Sequence, residues 1–163
     1  MNNNGYKSFN KDFKTFNDII MEPNKIYELD GEIKYHKYGY HFASRLEDTL
    51  RYVNGLEEKI ILCKIKALGN IDWYDDEYYG YYDLGCTNKI YIDKPLTREE
   101  IINYALKLYE QRLIRFIQGY KLTKEELELF KTIYKNNDNI INFLSYYQEK
   151  DYEVFKRKYK LTK

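Results

Sequence analysis

The hydrophobic periodicity of this chain changes once, close to Pro95, and that change limits the fold more than any motif does. Before it, apolar residues come in short runs or alternate with polar ones, the period-two pattern of strands with a buried face. After it they recur at Ile102, Leu106, Tyr109, Leu113 and Phe116, the spacing of one face of a helix. The fold class read from this is α+β. A mixed β core occupies residues 1–96, and a helical C-terminal region occupies residues 97–163.

Charge follows the same division. Thirteen basic residues face sixteen acidic ones through residue 96, and fourteen face ten beyond it, around a net charge of +1. So near-neutral a chain gives no bulk electrostatic reason to bind nucleic acid or a membrane. The longest apolar run, "IILC", is far shorter than the roughly 20 residues needed to cross a bilayer. "MNNNGYKSFN" lacks the basic-then-apolar order of a secretory leader, so a soluble, cytoplasmic protein is expected. Cys63 and Cys86 stand apart, with no ligand spacing around them, and no metal site is expected. The 20 tyrosines accompany abundant Lys, Asn, Ile and Phe, a set that AT-rich codons favour, and carry little functional weight alone.

Local signals fill in the elements. "GYKSF" reads as a strand, and "KIYELDGEIKYH" as two strands around an Asp30-Gly31 turn. The strand Gly39–Ala43 runs into Ser44-Arg45-Leu46-Glu47, a capping box that predicts a helix from about Arg45 to Val53. "KIILCKIKALGNI" reads as a long buried strand, "DWYDDEYYGYYDLGC" as an acidic aromatic loop, and "TNKIYID" as the last strand. Thr97-x-x-Glu100 and Thr123-x-x-Glu126 are two further capping boxes, the first opening a helix that Gly119 should end. "NNDN" punctuates the region, and "IINFLSYYQEKDYEVFKRKY" supplies one or two more helices. "YKLTK" appears at residues 120–124 and again at 159–163, as coincidence or a worn repeat.

No P-loop, GxGxxG, HExxH or GxSxG is present. The order "GYHFAS", a helix carrying "LRYV", then "IILCKIKALGNI" resembles the ADP-ribosyltransferase fold over Gly39 to Ile71. That resemblance implies an NAD cleft. Its ligand-binding residues would be Lys7 and Ser8 of the first strand, Tyr40, His41 and Phe42 of the second, Ser44, and Asn88. Lys7 would hold a phosphate, and His41 would stack on nicotinamide. The chain is also similar to a small family of phage and mobile-element proteins, through "GYKSFN", "GYHF" and "TNKI".

The catalytic glutamate of the transferase pattern is replaced here by Asn88 or Lys89, and a lysine has the wrong sign to stabilise the cation that develops as nicotinamide leaves. Glu77 is the remaining catalytic candidate, with Asp83 beside it in the enzyme reading, as a mono-ADP-ribosyltransferase or NAD glycohydrolase. The favoured expectation is a non-catalytic binding protein, a phage or mobile-element accessory that inhibits a host defence protein such as a CRISPR effector. Its contact surface would be Trp73, Tyr74, Asp75, Asp76, Glu77, Tyr78 and Tyr79, since aromatic side chains give large contact area at low entropic cost. A third reading is nucleic-acid binding through the basic C-terminal cluster "FKRKYK".

Overall fold

The computed structural model describes residues 3–15, 19–35, 37–50, 60–76 and 81–149. Their alternating half folds into one seven-stranded, wholly antiparallel sheet. Its strands are β1 (Asn4–Phe9), β2 (Lys25–Glu28), β3 (Tyr40–Ala43), β4 (Ile61–Ala67), β5 (Ile71–Asp76), β6 (Tyr81–Thr87) and β7 (Lys89–Pro95). In space they run β2-β7-β4-β1-β3-β6-β5, so β4 and β1 are central and β2 and β5 are the edges. The helices are α1 (Leu46–Thr49), α2 (Arg98–Ala105), α3 (Glu110–Gly119), α4 (Lys124–Ile133) and α5 (Asp138–Glu149). The class is thus α+β as expected, and no described helix is long and apolar enough to cross a membrane.

Strand alternation sorts the core into two layers. On one face Phe9, Tyr40, Phe42, Cys63, Ile65, Ala67, Ile90 and Ile92 form a cluster that Met21 and Phe13 close over. On the other, Leu62 joins Leu46 and Leu50 of the α1 segment and the buried sides of α2 to α5. A smaller cluster of Tyr35, Ala43, Leu84 and Cys86 sits beyond β3. The helical half therefore shares its core with one end of the sheet, and α3 comes so close to α1 that a Cβ on Gly119 would stand 2.7 Å from Leu50 Cβ.

Several local expectations are met and several are not. Thr97 and Thr123 are true capping-box residues: each side-chain oxygen accepts from the amide of the glutamate three places on (3.1 and 3.2 Å), and each glutamate accepts from the threonine amide at 2.7 Å. Arg98, at the start of α2, donates from Nε to the α4 capping glutamate, Glu126, at 2.6 Å, which locks the two helix starts together. The single helix expected from Thr97 to Gly119 is two, because the chain turns at Leu106–Tyr109 and buries Leu108.

The Asp30-Gly31 hairpin does not form. Gly31 turns the chain at φ +108°, but β2 pairs with β7, whose Ile90 and Ile92 offer Tyr27 a buried face. Among the described residues between Gly31 and β3, the one bridge is the isolated Lys34–Tyr38. The acidic aromatic "loop" is instead the β5–β6 hairpin, with Ile71 and Trp73 turned toward the core and Asp72 and Tyr74 on the opposite face. Glu77, Tyr78, Tyr79, His36, residues 51–59 and the C-terminal basic cluster lie outside the described residues.

Gly85 of β6 lies opposite both Phe42 and Trp73, and a Cβ built on it would overlap the Phe42 ring. Gly85→Ala should therefore cost about 1–3 kcal/mol in urea denaturation, the usual range for overpacking. Adding Phe42→Leu should recover part of that loss. A double variant no better than the sum of the two single changes would mean that the ring is not the obstacle.

Candidate functional site

The first two strands of the expected cleft, β1 and β3, share only one registered pair, Tyr6 opposite Ala43. Past it, toward the end of β1, Lys7 Nζ donates to the His41 carbonyl at 2.6 Å, where a ladder amide would otherwise stand. The Lys7 ammonium lies 5.8 Å from the centre of the Phe9 ring. Burial pulls its pKa down from the ordinary lysine value to about 8. This is a split in the sheet with a cation in it, but that cation is held by backbone.

The neighbouring candidates are engaged in the same way. The Ser8 hydroxyl donates to the Thr49 carbonyl at 2.8 Å and ties β1 to α1. Tyr40 and Phe42 point into the first layer, Tyr40 edge-on to Tyr27 at 6.4 Å and Phe42 edge-on to Trp73 at 5.4 Å. His41 points the other way, its ring edge-on to Tyr35 at 5.0 Å, and Tyr35 stacks on Tyr74 at 4.8 Å. Asn88 sits at the bend between β6 and β7, its side-chain oxygen accepting from the Asn70 amide at 3.1 Å. Lys89 pairs with Glu28 at 2.8 Å. Asp83 takes a φ of +55° and donates its amide to Asp75 at 2.7 Å. Ser44 is half-buried and caps nothing: the N-cap of α1 is Arg45, without a side-chain bond. The candidates thus divide between the two sheet faces and do not converge on one pocket.

The most concentrated polar chemistry lies next to them, at Glu47, the expected capping-box glutamate, and at Asp48 beside it. Glu47 and Asp48 are consecutive residues of α1, and both side chains are fully buried. Glu47 receives Nε of Arg112, and also the Tyr104 hydroxyl at 2.7 Å. Arg112 in turn donates to the Tyr104 oxygen at 3.0 Å, as does the Leu46 amide at 3.2 Å. Arg115, one turn along α3, donates to Asp48 Oδ1 at 2.9 Å, while Asp48 Oδ2 has no hydrogen-bond partner. Burial accordingly raises the Asp48 pKa above the usual carboxylate value, with Arg115 pulling the other way. Burial, and then the charge of Glu47, likewise raise the Tyr104 phenol. One signal for this cluster was available: Arg112 and Arg115 stand three apart on a helix face otherwise made of Leu113, Phe116 and Ile117.

The described residues contain no group of three or more His, Cys, Asp or Glu side chains placed to hold a metal. Burial raises both free thiols, Cys63 to about 12 and Cys86 to about 11, so neither is a nucleophile near neutrality.

Fold and site together define a mixed α+β domain whose antiparallel sheet is clamped to its helices by a buried ion cluster. Its residues 3–103 match the family model described as "Domain of unknown function (DUF7666)", and the chain belongs to that family. The match contains Glu47, Asp48 and Tyr104's helix start, and ends before Arg112 and Arg115. No curated protein and no solved structure matches the chain significantly.

Two expectations follow. Arg112→Met leaves Glu47 buried without its cation and should cost about 3–5 kcal/mol in chemical denaturation, whereas Glu47→Leu combined with Arg112→Met should be far milder than the single change. Equal losses would show that packing, not charge, is lost. For Lys7, the native ammonium gives up its proton near pH 8 and the unfolded one near its ordinary pKa. The unfolded chain therefore binds more protons between those values, and wild-type stability relative to Lys7→Met should rise with pH across that window. Thermal melts that keep a constant difference from pH 7 to above pH 9 would rule this out.

Proposed function

We propose that the chain is a non-catalytic binding protein that works through direct contact with a protein partner. The observation that carries this reading is the state of β5. It is an edge strand, paired with β6 alone among the described strands, so its outer amides and carbonyls are available to another chain. It also carries an acidic and aromatic surface in Asp72, Tyr74 and Asp75, with Trp73 anchored behind them on Phe42. Sheet-edge addition by a partner strand gains main-chain hydrogen bonds, and the side chains beside the edge supply selectivity. The carboxylates favour a basic partner surface.

The internal engagement of Lys7, Ser8, Asn88 and Lys89 supports the same reading, because a working NAD cleft needs such groups free for ligand. The resemblance to phage and mobile-element proteins supports an accessory role, and a host defence protein such as a CRISPR effector is the partner class we favour. Inhibition would come from occupying that protein's surface.

The test uses the purified chain as bait with host extract and, separately, with NAD. Asp75→Lys combined with Tyr74→Ala should release the captured partner and leave the melting temperature within a few degrees. A partner retained by that variant would move the contact elsewhere. Release of nicotinamide from NAD, abolished by His41→Ala, would replace the binding reading with the enzymatic one.

A further inference from the structure

The helices cover only one end of the sheet's second face. Beyond Tyr6, which packs edge-on against Tyr104 of α2 at 5.6 Å, the described residues leave the face open, and it forms a groove of about 420 Å³ whose polar lining includes Asn4, Tyr6, Lys64, Lys66, Tyr91 and Asp93. Register shows how it is built. Tyr6 stands opposite Lys64, and Asn4, Lys66 and Tyr91 form a row across β1, β4 and β7. Lys64 and Lys66 alternate with the buried Cys63, Ile65 and Ala67, which fixes both ammonium groups on the open face.

Lysines are common on edge strands, where they discourage pairing with other sheets. These two are on β4, third of seven strands, where an edge-protecting role does not apply. Among the described residues neither forms a salt bridge, though the Glu100 carboxyl of α2, which the Thr97 amide holds below its usual range, lies near enough to Lys64 to be lowered by it as well; the one carboxylate in the lining, Asp93, is on the neighbouring strand. Tyr91 is half-buried, and beyond it in the row comes Ile26, 58% exposed. With Ser44 at the far side, the lining crosses four strands, about 14 Å at the usual strand spacing. That is longer than a lone phosphate and suits an extended ligand.

The geometry points to a binding site for a single strand of nucleic acid across this face. Lys64 and Lys66 meet phosphates, Tyr91 offers a ring for a base to stack on, and Asn4 and Asp93 meet base-edge donors and acceptors. A basic track with an aromatic platform is the general chemistry of single-strand recognition. A duplex keeps its base faces stacked internally and would leave Tyr91 unused. An acidic peptide would meet the Asp93 carboxylate with like charge, whereas the amino groups of bases donate to it. The site lies on the second sheet face and is separate from the β5 edge.

The test is fluorescence anisotropy of a short labelled oligocytidylate, whose bases carry an amino group, with the full chain at several salt concentrations. Two phosphate contacts predict that log K falls against log salt with a slope of about −1.4. Lys64→Ala with Lys66→Ala should weaken binding and flatten that slope. Tyr91→Ala should weaken it roughly fivefold or more, with the slope kept. Lys156→Ala, Arg157→Ala and Lys158→Ala together should change little. Since both groove lysines are exposed, melting of their double variant should match the parent. No binding at low salt would overturn the proposal. So would equal affinity for a duplex, or binding lost from the triple variant and kept in the double one.

Discussion

Glu47 and Asp48 hold the two halves of the molecule together, and the rest of the arrangement depends on them. They follow the last residue of β3 by only a few positions, so their place is set by the sheet, while Arg112 and Arg115 belong to α3. Two ionised carboxylates taken out of water are expensive to bury, by several kcal/mol each, unless cations and hydrogen bonds reach them. Glu47 meets that demand with Arg112 and the Tyr104 hydroxyl. Asp48 meets it only in part, since one oxygen has no partner. A hydrophobic contact between sheet and helices would tolerate many rotations of α3. This cluster tolerates few, because each displacement leaves a buried charge alone. Its contribution is better described as orientation than as net stability.

The same logic explains the gap between β1 and β3. Ser8 is drawn toward α1 by its bond to the Thr49 carbonyl, and Thr49 in turn donates to the Leu46 carbonyl at 2.7 Å, at the start of the ion-cluster helix. β1 therefore leans on α1 where a regular ladder would have it lean on β3. The His41 carbonyl left on the far side must be satisfied. Lys7 does so, at the expense of a lowered pKa. A residue that resembles a phosphate ligand in the sequence is, in the folded chain, a repair to a sheet opened by its neighbour helix.

What was legible in the sequence was local. The boxes at Thr97 and Thr123 need partners only three residues away, and both formed. Ser44 and Glu47 display the same local code, yet the cap is absent because the Glu47 carboxylate is bound by an arginine 65 positions later. The Asp30-Gly31 turn is readable as a turn, but the partner of β2 is set by the buried isoleucines of β7, 63 and 67 positions from the β2 residues they register with, Tyr27 and Lys25. In β5 the dense carboxylates masked an alternation that is plain once Ile71 and Trp73 are seen packing inward. The run "YHF" is legible as aromatic strand, but only the pairing of His41 with Cys86 and of Phe42 with Gly85 decides which ring faces which layer.

The distribution of unsatisfied chemistry then bears on function. Where polar groups converge in the interior, at Lys7, Glu47 and Asp48, nearly all of their bonding capacity is used within the chain. Among the described residues, β5 presents an unpaired strand edge, and the groove with exposed lysines is on the second face of the sheet. An enzyme shows the reverse arrangement, with preorganised groups aimed into a cleft and left unpaired until substrate arrives. In the interior, by contrast, the one buried side-chain oxygen left without a partner among the described residues is Asp48 Oδ2. That division is the physical reason we propose recognition rather than catalysis for this domain, with the β5 edge and the groove as separate surfaces.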